Sequence, residues 1–311
     1  DEDRADLIGI REAAEASPNI VGIHFRYFWR DLEVGVDSYD FTRMGEHLDL
    51  LSELSTPDRT IYYVPFIAWR SYQPQDHPMP AHLSEFEEPA GDGHRGQVWK
   101  PAVRAAYRDL LTAMADAHGS HPNFGGVSTQ ESAVGPPPRD GFTSLLYAEA
   151  LFDIGVMHRE AFPTKQIFFL FNFLDADLSD CEGLDREADC GSWPVNRTEC
   201  GPCLLGGVME SLVPYDIAFG GPDILPYNDP LLRLVYPHYD GLDESGASLF
   251  CHAQKNSYRV GEEGDYMPMQ EIFDFAVEEL HVDYVIWFHK ELGTGQMFEA
   301  AVPVIDETPT W

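Results

Sequence analysis

The chain has 311 residues, and its 53 acidic and 20 basic residues give a formal net charge of −33. Such a field repels nucleic acids and anionic membrane surfaces, so neither is a favoured partner. No apolar run approaches the ~20 residues that a membrane-spanning helix needs. A dense carboxylate surface with few lysines is typical of proteins kept soluble in salt and indicates a marine or halophilic origin. An ordinary acidic secreted protein is the alternative.

Short apolar runs rich in β-branched and aromatic residues alternate with longer amphipathic stretches, which is the pattern of repeated βα units. The predicted elements are, in chain order, helix 5–16, strand 19–29, helix 41–54, strand 60–69, helix 101–118, strand 124–131, helix 143–161, strand 165–174, helix 204–212, strand 215–221, strand 247–254, helix 268–280 and strand 282–289. Residues 70–98 read as a long polar, proline-rich loop. Length and pattern together predict an α/β fold, a single (β/α)8 TIM-type barrel over residues 1–311 with long loop insertions. The eighth strand lies either before residue 1 or at 301–305.

Four of the five cysteines fall in one predicted loop with the spacing C-x8-C-x9-C-x2-C, as Cys181, Cys190, Cys200 and Cys203. Two disulfides that staple this loop are favoured over a four-thiolate zinc site, because only the last pair has the spacing of zinc ligands. Disulfides require an oxidising compartment, so we expect a secreted or periplasmic protein. A structural Ca²⁺ ion could lie near three neighbouring carboxylates, Asp175, Asp177 and Asp180.

Polar and aromatic residues cluster where the predicted strands end. In barrels of this kind the functional side chains lie at these ends and in the loops that follow. The residues concerned are Arg26, Trp29, Trp69, Arg70, Gln130, Glu131, Asn172, Asp175, Asp223, His252, Gln254, Trp287, His289 and Glu291. A barrel with a purely structural role has little need of so many such groups on one rim, so the pattern predicts a binding or catalytic site there.

The segment at residues 26–41 reads RYFWRDLEVGVDSYDF. It resembles the W-x-x-L-E-P-x-x-G-x-Y-D-F segment at the second barrel strand of many retaining glycoside hydrolases of clan A, the β-galactosidase-like and agarase-like members. The matching residues are Trp29, Leu32, Glu33, Tyr39, Asp40 and Phe41, whereas Val34 replaces the usual proline and the glycine spacing differs. The resemblance implies that strand 19–29 is the second barrel strand.

The same resemblance implies the roles of several strand-end residues. Glu131 takes the place of the general acid/base, with Gln130 where family members usually carry Asn. The nucleophile, three strands later, falls on Gln254, which cannot act as a carboxylate, so either an inactivating Glu→Gln change, another mechanism or a different strand count is implied. Arg26 matches the second-strand arginine of the family. Trp287 resembles the tryptophan that forms the floor of the sugar subsite, and Asn172 would help to shape that subsite. No cofactor is implied.

Asp223 is the best alternative as second carboxylate, because the preceding Gly-Gly-Pro turn could aim it inward, although it could equally cap the next loop. Glu291 is a third candidate, but His289 and Lys290 beside it suggest an ion-pair cluster just as readily. Trp69 and Trp287 could stack on sugar faces, although a tryptophan is more often a core residue. A set of basic side chains could bind a carboxylate or sulfate of an acidic polysaccharide, namely His24, Arg26, Arg70, His252 and His289.

Glycoside hydrolysis of a marine or plant polysaccharide or oligosaccharide is therefore the favoured function. A polysaccharide lyase acting on a uronic-acid polymer would explain a missing nucleophile directly. A catalytically silent carbohydrate-binding barrel, with Gln254 as the natural residue, is the third possibility. A metal-dependent hydrolase is disfavoured because the sequence has no H-x-H or H-E-x-x-H motif.

Overall fold

A computed structural model describes residues 2–133, 140–172, 174, 201–221, 223–226, 235–253, 259–260, 265–287 and 295–307. The strands are β1 (Gly22–Phe28), β2 (Glu33–Gly35), β3 (Ser38–Tyr39), β4 (Tyr62–Ala68), β5 (Glu87–Ala90), β6 (Gly93–Gly96), β7 (Gly126–Thr129), β8 (Gln166–Leu170), β9 (Ile217–Gly221), β10 (Leu249–Ala253), β11 (Arg259–Val260), β12 (Asp265–Tyr266) and β13 (Tyr284–Trp287). The helices are α1 (Glu2–Ala16), α2 (Trp29–Leu32), α3 (Thr42–Leu54), α4 (Pro101–His118), α5 (Ser144–Ala161), α6 (Gly201–Leu212), α7 (Pro237–Glu244), α8 (Met269–Asp274) and α9 (Gly295–Glu307). Short 3-10 turns lie at Ala81–Phe86 and Val213–Tyr215, and a π-helical turn at Phe275–Glu279 continues α8.

Seven of the described strands form one parallel sheet in the order β1-β4-β7-β8-β9-β10-β13. These are the seven strands that the sequence predicts, and at the ends that the structure describes their bounds differ from the predicted ones by at most four residues. Parallel strands need crossover connections, and helices supply them between most neighbours, as in βαβ units. The α/β class with a TIM-type arrangement is therefore confirmed.

The sheet curls around an apolar interior. One of its faces carries a cluster of buried side chains from β4, β8, β9 and β10, namely Phe66, Ala68, Phe168, Leu170, Ala218 and Phe250. The alternate residues of the strands point the other way and pack against the helices. There they form a second, larger cluster of buried side chains, which we call the outer core. The rings of His24 on β1 and His252 on β10 are only 5.0 Å apart, although four strands separate β1 from β10 in the sheet. This contact requires a rolled, barrel-like sheet.

Residues 301–305 form part of α9 and not a strand, so that placement of the eighth strand is wrong. Phe298, Ala301 and Ile305 are buried at helical spacing, which a period-2 strand could not achieve. The end of α9 docks beside the start of β1, where the side-chain amide of Asn19 donates to the carbonyl oxygen of Ile305 at 2.8 Å. Among the described residues, β1 and β13 are the two edges of the sheet.

The loop at residues 70–98 has more structure than the sequence suggests. It contains the 3-10 turn at Ala81–Phe86 and an antiparallel hairpin of β5 and β6. Gly91 lies at the tip with φ of 64°, a conformation that suits glycine in a tight hairpin turn. The Arg95 side chain bonds the Glu88 carboxylate across the hairpin at 2.7 and 2.9 Å. The sequence does not predict this hairpin, because its two strands are polar and lack the alternation of apolar and polar residues that identifies a strand.

In the part of the chain that the structure describes, no helix combines the length and apolarity that crossing a membrane requires.

The buried side chain of His158 is expected to make the folded protein less stable in mild acid. It is buried between α4 and α5, where its Nδ1 donates to the carbonyl oxygen of Ile154 at 2.8 Å and its Nε2 lies 3.2 Å from the Tyr107 hydroxyl. Burial lowers its pKa to about 4 from the ordinary 6.5. The unfolded chain therefore binds this proton more readily, and the contribution to stability is lost as the pH falls from 6.5 towards 4.

We expect His158→Gln to flatten the pH dependence of the free energy of unfolding, measured by urea titration at pH 7.5 and 5.0. The wild type should lose about 2 kcal/mol more than the variant between these pH values, since one unit of pKa is worth about 1.4 kcal/mol. His281→Gln, at an exposed position, is the control and should follow the wild type. Equal pH dependence of all three proteins would contradict a neutral His158.

Candidate active site

Glu131 lies two residues after β7 and is the centre of a cluster from three adjacent strands. Its side chain is 14% exposed. The Asn172 side-chain amide, just after β8, donates to Oε2 of Glu131 at 3.4 Å. The Arg70 guanidinium, just after β4, lies 3.8 Å from Oε1. The main-chain N–H of Asn172 also donates to the Ser132 hydroxyl at 2.7 Å, so the ends of β7 and β8 are tied together.

The surroundings of Glu131 favour its protonated form. Burial raises the pKa of its carboxyl above the ordinary 4.5, while Arg70, the Asn172 amide and Arg26 oppose the shift. A carboxyl with a raised pKa holds its proton closer to neutral pH and can give it to a substrate, as a general acid must. The electrostatics of Glu131 therefore match the role that the sequence resemblance implies.

Two arginines form one side of the cluster. The guanidinium of Arg70 lies 4.7 Å from the centre of the Tyr72 ring and donates to the carbonyl oxygen of Ala133. Arg26, on β1, donates to the carbonyl oxygen of Arg70 at 2.6 Å and lies over the Phe28 ring at 4.8 Å. The aromatic faces and the carbonyl bonds fix both cations beside Glu131. Arg70 and Tyr72 are in the loop that the sequence leaves unstructured, and Tyr72 was not singled out there.

We expect Arg70→Gln to move the pKa of Glu131 further upward, because the variant removes the largest influence that lowers it. The measurement is an infrared pH titration of the carboxylic-acid band that disappears in Glu131→Gln. The midpoint should lie at higher pH in the Arg70 variant than in the wild type. An unchanged midpoint would mean that Arg70 does not act on Glu131 electrostatically.

Below this cluster, towards the barrel interior, lie two neutral imidazoles. The His24 ring stacks on Phe66 at 5.3 Å and meets His252 edge-on at 5.0 Å. Burial lowers the pKa of His24 to about 3, and burial followed by the neighbouring His24 lowers that of His252 well below its ordinary value. Phe66 also faces the guanidinium of Arg26 at 5.8 Å, so the imidazoles and the Glu131 cluster are contiguous.

Ser128 and Gln130 are polar residues buried in the same β7 segment, at 0% and 2% exposure. The Ser128 hydroxyl and the Gln130 Oε1 atom have no hydrogen-bond partner among the described residues. Buried polar atoms of this kind are usually paired, so these two are candidates to contact a bound hydroxyl group. A serine within a strand carries no sequence signal, and Ser128 was missed for that reason.

The structure brings together only part of the predicted site. It unites Glu131, Asn172, Arg26, Arg70, His24 and His252. Asp223 is half-buried after β9, where the Tyr236 hydroxyl donates to its carbonyl oxygen at 3.2 Å. Its charge also contributes to raising the pKa of the Cys251 thiol to about 11, after the larger effect of burial.

The two tryptophans predicted to stack on sugars lie elsewhere. Trp69 is 3% exposed and packs edge-on against Tyr107 of α4 at 5.3 Å, which is the environment of a core residue and not of a sugar platform. Trp287 is half-buried and packs against the same outer core. We therefore omit Trp69 from the site. The sequence cannot distinguish the two faces of a strand whose residues are apolar on both.

Several predicted residues lie outside the described residues: Gln254, His289, Glu291, Asp175, Asp177, Asp180, Cys181, Cys190 and Cys200. For Cys203 the structure describes the helical backbone only. The disulfides, the Ca²⁺ site and the role of position 254 therefore stay predictions.

Comparison with known proteins identifies the fold. No family model and no curated protein matches the chain. Among solved structures, an endo-1,4-β-mannanase from Rhizomucor miehei is similar with a TM-score of 0.61 and 8% identity, over 97% of this chain and 89% of the mannanase. An endocellulase from Pyrococcus horikoshii is similar with a TM-score of 0.52 and 12% identity, over 96% of this chain and 85% of the endocellulase.

A β-galactosidase from the Antarctic haloarchaeon Halorubrum lacusprofundi gives a TM-score of 0.52 and 13% identity over 90% of this chain. The chain spans about half of that enzyme's length, 50%. At these identities the likeness shows the fold alone. The chain thus has the barrel fold of these glycoside hydrolases, with a buried, protonatable carboxyl at the end of one barrel strand.

Proposed function

We propose that the chain is a glycoside hydrolase of the clan A type in which Glu131 is the general acid/base. The observation that carries the proposal is the environment of Glu131. It lies at the carboxyl end of β7, is 14% exposed, has a raised pKa and is held by groups from two neighbouring strands. Active sites of (β/α)8 barrels form at this end of the strands. The barrel fold shared with glycoside hydrolases supports the same proposal.

In this reaction Glu131 protonates the glycosidic oxygen while the bond to the anomeric carbon breaks. A second carboxylate must lie about 5–5.5 Å away to form a glycosyl-enzyme, or about 6.5–9.5 Å away to activate water for inversion. We assign the second role to position 254, where a glutamate would be required and the chain carries Gln. Asp223, which follows β9, is the alternative.

The remaining groups would bind the sugar. Arg26 and Asn172 flank Glu131 and can donate hydrogen bonds to hydroxyl groups, and His24 and His252 supply neutral imidazoles beneath them. We propose an oligosaccharide or polysaccharide substrate and an exported, salt-adapted protein, from the net charge of −33 and the cysteine-rich loop.

A polysaccharide lyase is the second candidate, favoured by one observation. Two guanidinium groups converge beside the Tyr72 ring, at 4.7 Å for Arg70 and 5.8 Å for Arg26. Arginines can neutralise the carboxylate of a uronic acid and make its C5 proton acidic, and a tyrosinate could remove that proton. The 4-O leaving group then departs with a proton from Glu131, and a double bond forms between C4 and C5.

The test is incubation with neutral, sulfated and uronic-acid polysaccharides while reducing ends and ultraviolet absorbance are recorded together. A hydrolase gives reducing ends without the absorbance of an unsaturated uronide, and a lyase gives both. Oligosaccharide binding without either product, in the wild type and in Gln254→Glu, would support a silent carbohydrate-binding barrel and overturn both enzyme proposals.

A further inference from the structure

The hairpin of β5 and β6 carries a group of potential metal ligands that the proposed reaction does not use. One ligand atom from each of His77, Glu87 and His94 lies within 4.8 Å of the other two. The rings of His77 and His94 are stacked at 4.2 Å. The Nδ1 atom of His77 is 2.5 Å from Oε1 of Glu87. The three residues come from separate parts of the 70–98 loop, which only the fold brings together.

The surroundings orient these side chains. The carbonyl oxygen of Asp76 can only accept, so the Nδ1 atom of His94, at 3.2 Å, carries the proton. This tautomer leaves the lone pair of Nε2 available to a metal ion, in the arrangement that outer-shell hydrogen bonds give to metal-bound histidines. The Glu87 side chain is 8% exposed, and its Oε2 atom accepts from the main-chain N–H of Met79 at 3.0 Å. Two of the three ligands are thus fixed before any ion binds.

We propose that His77, Glu87 and His94 bind a divalent transition-metal ion, best Zn²⁺. Two imidazoles and one carboxylate suit Zn²⁺, whereas Ca²⁺ and Mg²⁺ prefer oxygen ligands alone. Tetrahedral ligands at about 2.1 Å from Zn²⁺ lie about 3.4 Å from one another, so small side-chain movements convert the cluster into a site. His77, with its side chain 57% exposed, can make that movement. The fourth position would face solvent and hold water.

The site would stabilise the loop that delivers Arg70 to Glu131. The hairpin is paired with the segment after β4 through His94 and Ser71, where the main-chain N–H of Ser71 donates to the His94 carbonyl oxygen at 2.8 Å. The N–H of His94 donates to the Ser71 hydroxyl at 2.9 Å. An ion held by His77, Glu87 and His94 therefore ties the far end of the loop to the strand next to Arg70. Its role is structural, since its ligands belong to a different cluster from Glu131.

The experiment is a calorimetric titration of the chelator-treated full chain with ZnCl2, in 0.15 M NaCl with excess Mg²⁺ to suppress non-specific binding by the acidic surface. We expect one tight equivalent for the wild type. His94→Ala and Glu87→Gln should weaken it by about 100-fold or more, because loss of an outer-shell partner alone costs about 10–100-fold. Glu85→Gln removes an exposed carboxylate from the same loop, and His121→Ala a histidine remote from it. Both controls should bind as the wild type does.

X-ray absorption of the wild type with one equivalent of Zn²⁺ keeps the test independent of variants that fold poorly. Two imidazole nitrogens in the coordination shell, and a Zn²⁺-induced rise in Tm that His94→Ala lacks, would support the site. A shell of oxygen atoms, or an equal loss of binding in Glu85→Gln, would overturn it and leave a plain His77–Glu87 hydrogen bond. No substrate enters these measurements, so they do not depend on the proposed hydrolase activity.

Discussion

In the Gln254→Glu background, which supplies the proposed second carboxylate, replacing Glu131 by Gln is expected to lower kcat by about 10²–10⁴-fold, the usual contribution of a general acid or base. Gln has nearly the same shape and can still bond Asn172, but it has no proton to give. The loss should be smallest for substrates with activated aryl leaving groups, which need little protonation. The measurement compares kcat for such a glycoside with kcat for an unactivated oligosaccharide.

The same substitution is expected to stabilise the folded protein at neutral pH. Because the folded-state pKa of Glu131 is raised above 4.5, its ionisation costs stability as the pH rises from 4.5 through that raised value. Gln does not ionise, so Tm of Glu131→Gln should exceed that of the wild type at pH 7.5, and the difference should shrink at pH 4. Higher stability with lower activity is typical of an active-site residue.

Glu33→Gln is the matched control for Glu131→Gln. Glu33 is also a buried carboxylate, bonded to the Trp29 indole N–H at 2.7 Å and paired with His82 at 3.1 Å. It belongs to the corner after β1 and not to the Glu131 cluster. Burial raises the pKa of the Glu33 carboxyl as well, so its replacement should also raise Tm at pH 7.5, but it should leave kcat within a few-fold of the value in the same background. Equal losses of kcat in the two variants would argue against a catalytic Glu131.

The sequence predicts the main sheet well for a physical reason. Most of the strands between the two edges are short runs buried on both faces, and turns or polar loops separate these runs. The prediction of α4 matches the structure from Pro101 to His118, because Pro suits the first helical turn and apolar residues recur at helical spacing. The run at 301–305 fails because five apolar or small residues fit either a strand or a buried helix.

The candidate site is predicted only where a strand end carries a rare residue. Asn172 interrupts an apolar run and Glu131 ends the predicted strand 124–131, so both are visible in the sequence. Arg70 is predicted as well, because it directly follows a predicted strand. Tyr72 depends on how the 70–98 loop folds back, and the His77–Glu87–His94 group depends on a polar hairpin with no periodic signal. Trp69 is the reverse case, a residue that is predicted for the site but lies outside it. Its position at the end of a predicted strand suggests a place in the site, whereas its ring is buried in the outer core. The positions of these residues depend on which remote segments of the chain pack together. A local sequence pattern does not contain that information.

Replacing Gln254 by Glu is expected to raise glycosidase activity by about 10³-fold or more, a scale comparable to the loss that follows removal of a nucleophile in other enzymes. Gln254 follows His252 by two residues, and His252 lies beside His24 in the barrel interior. Under the proposed assignment, a carboxylate at position 254 gives the second group that glycoside hydrolysis requires. The measurement is kcat on an aryl glycoside, with trapping of a glycosyl-enzyme by mass spectrometry.

Asp223→Asn distinguishes the two candidates for the second carboxylate. If position 254 is the nucleophile site, Gln254→Glu gains activity and the added Asp223→Asn leaves that gain intact. If Asp223 is the partner, the wild type is already active, Asp223→Asn abolishes this activity, and Gln254→Glu adds nothing. Loss of the gained activity on adding Glu131→Gln would then show that both carboxyl groups act on one bond, because a pair that shares a single reaction fails when either member is removed.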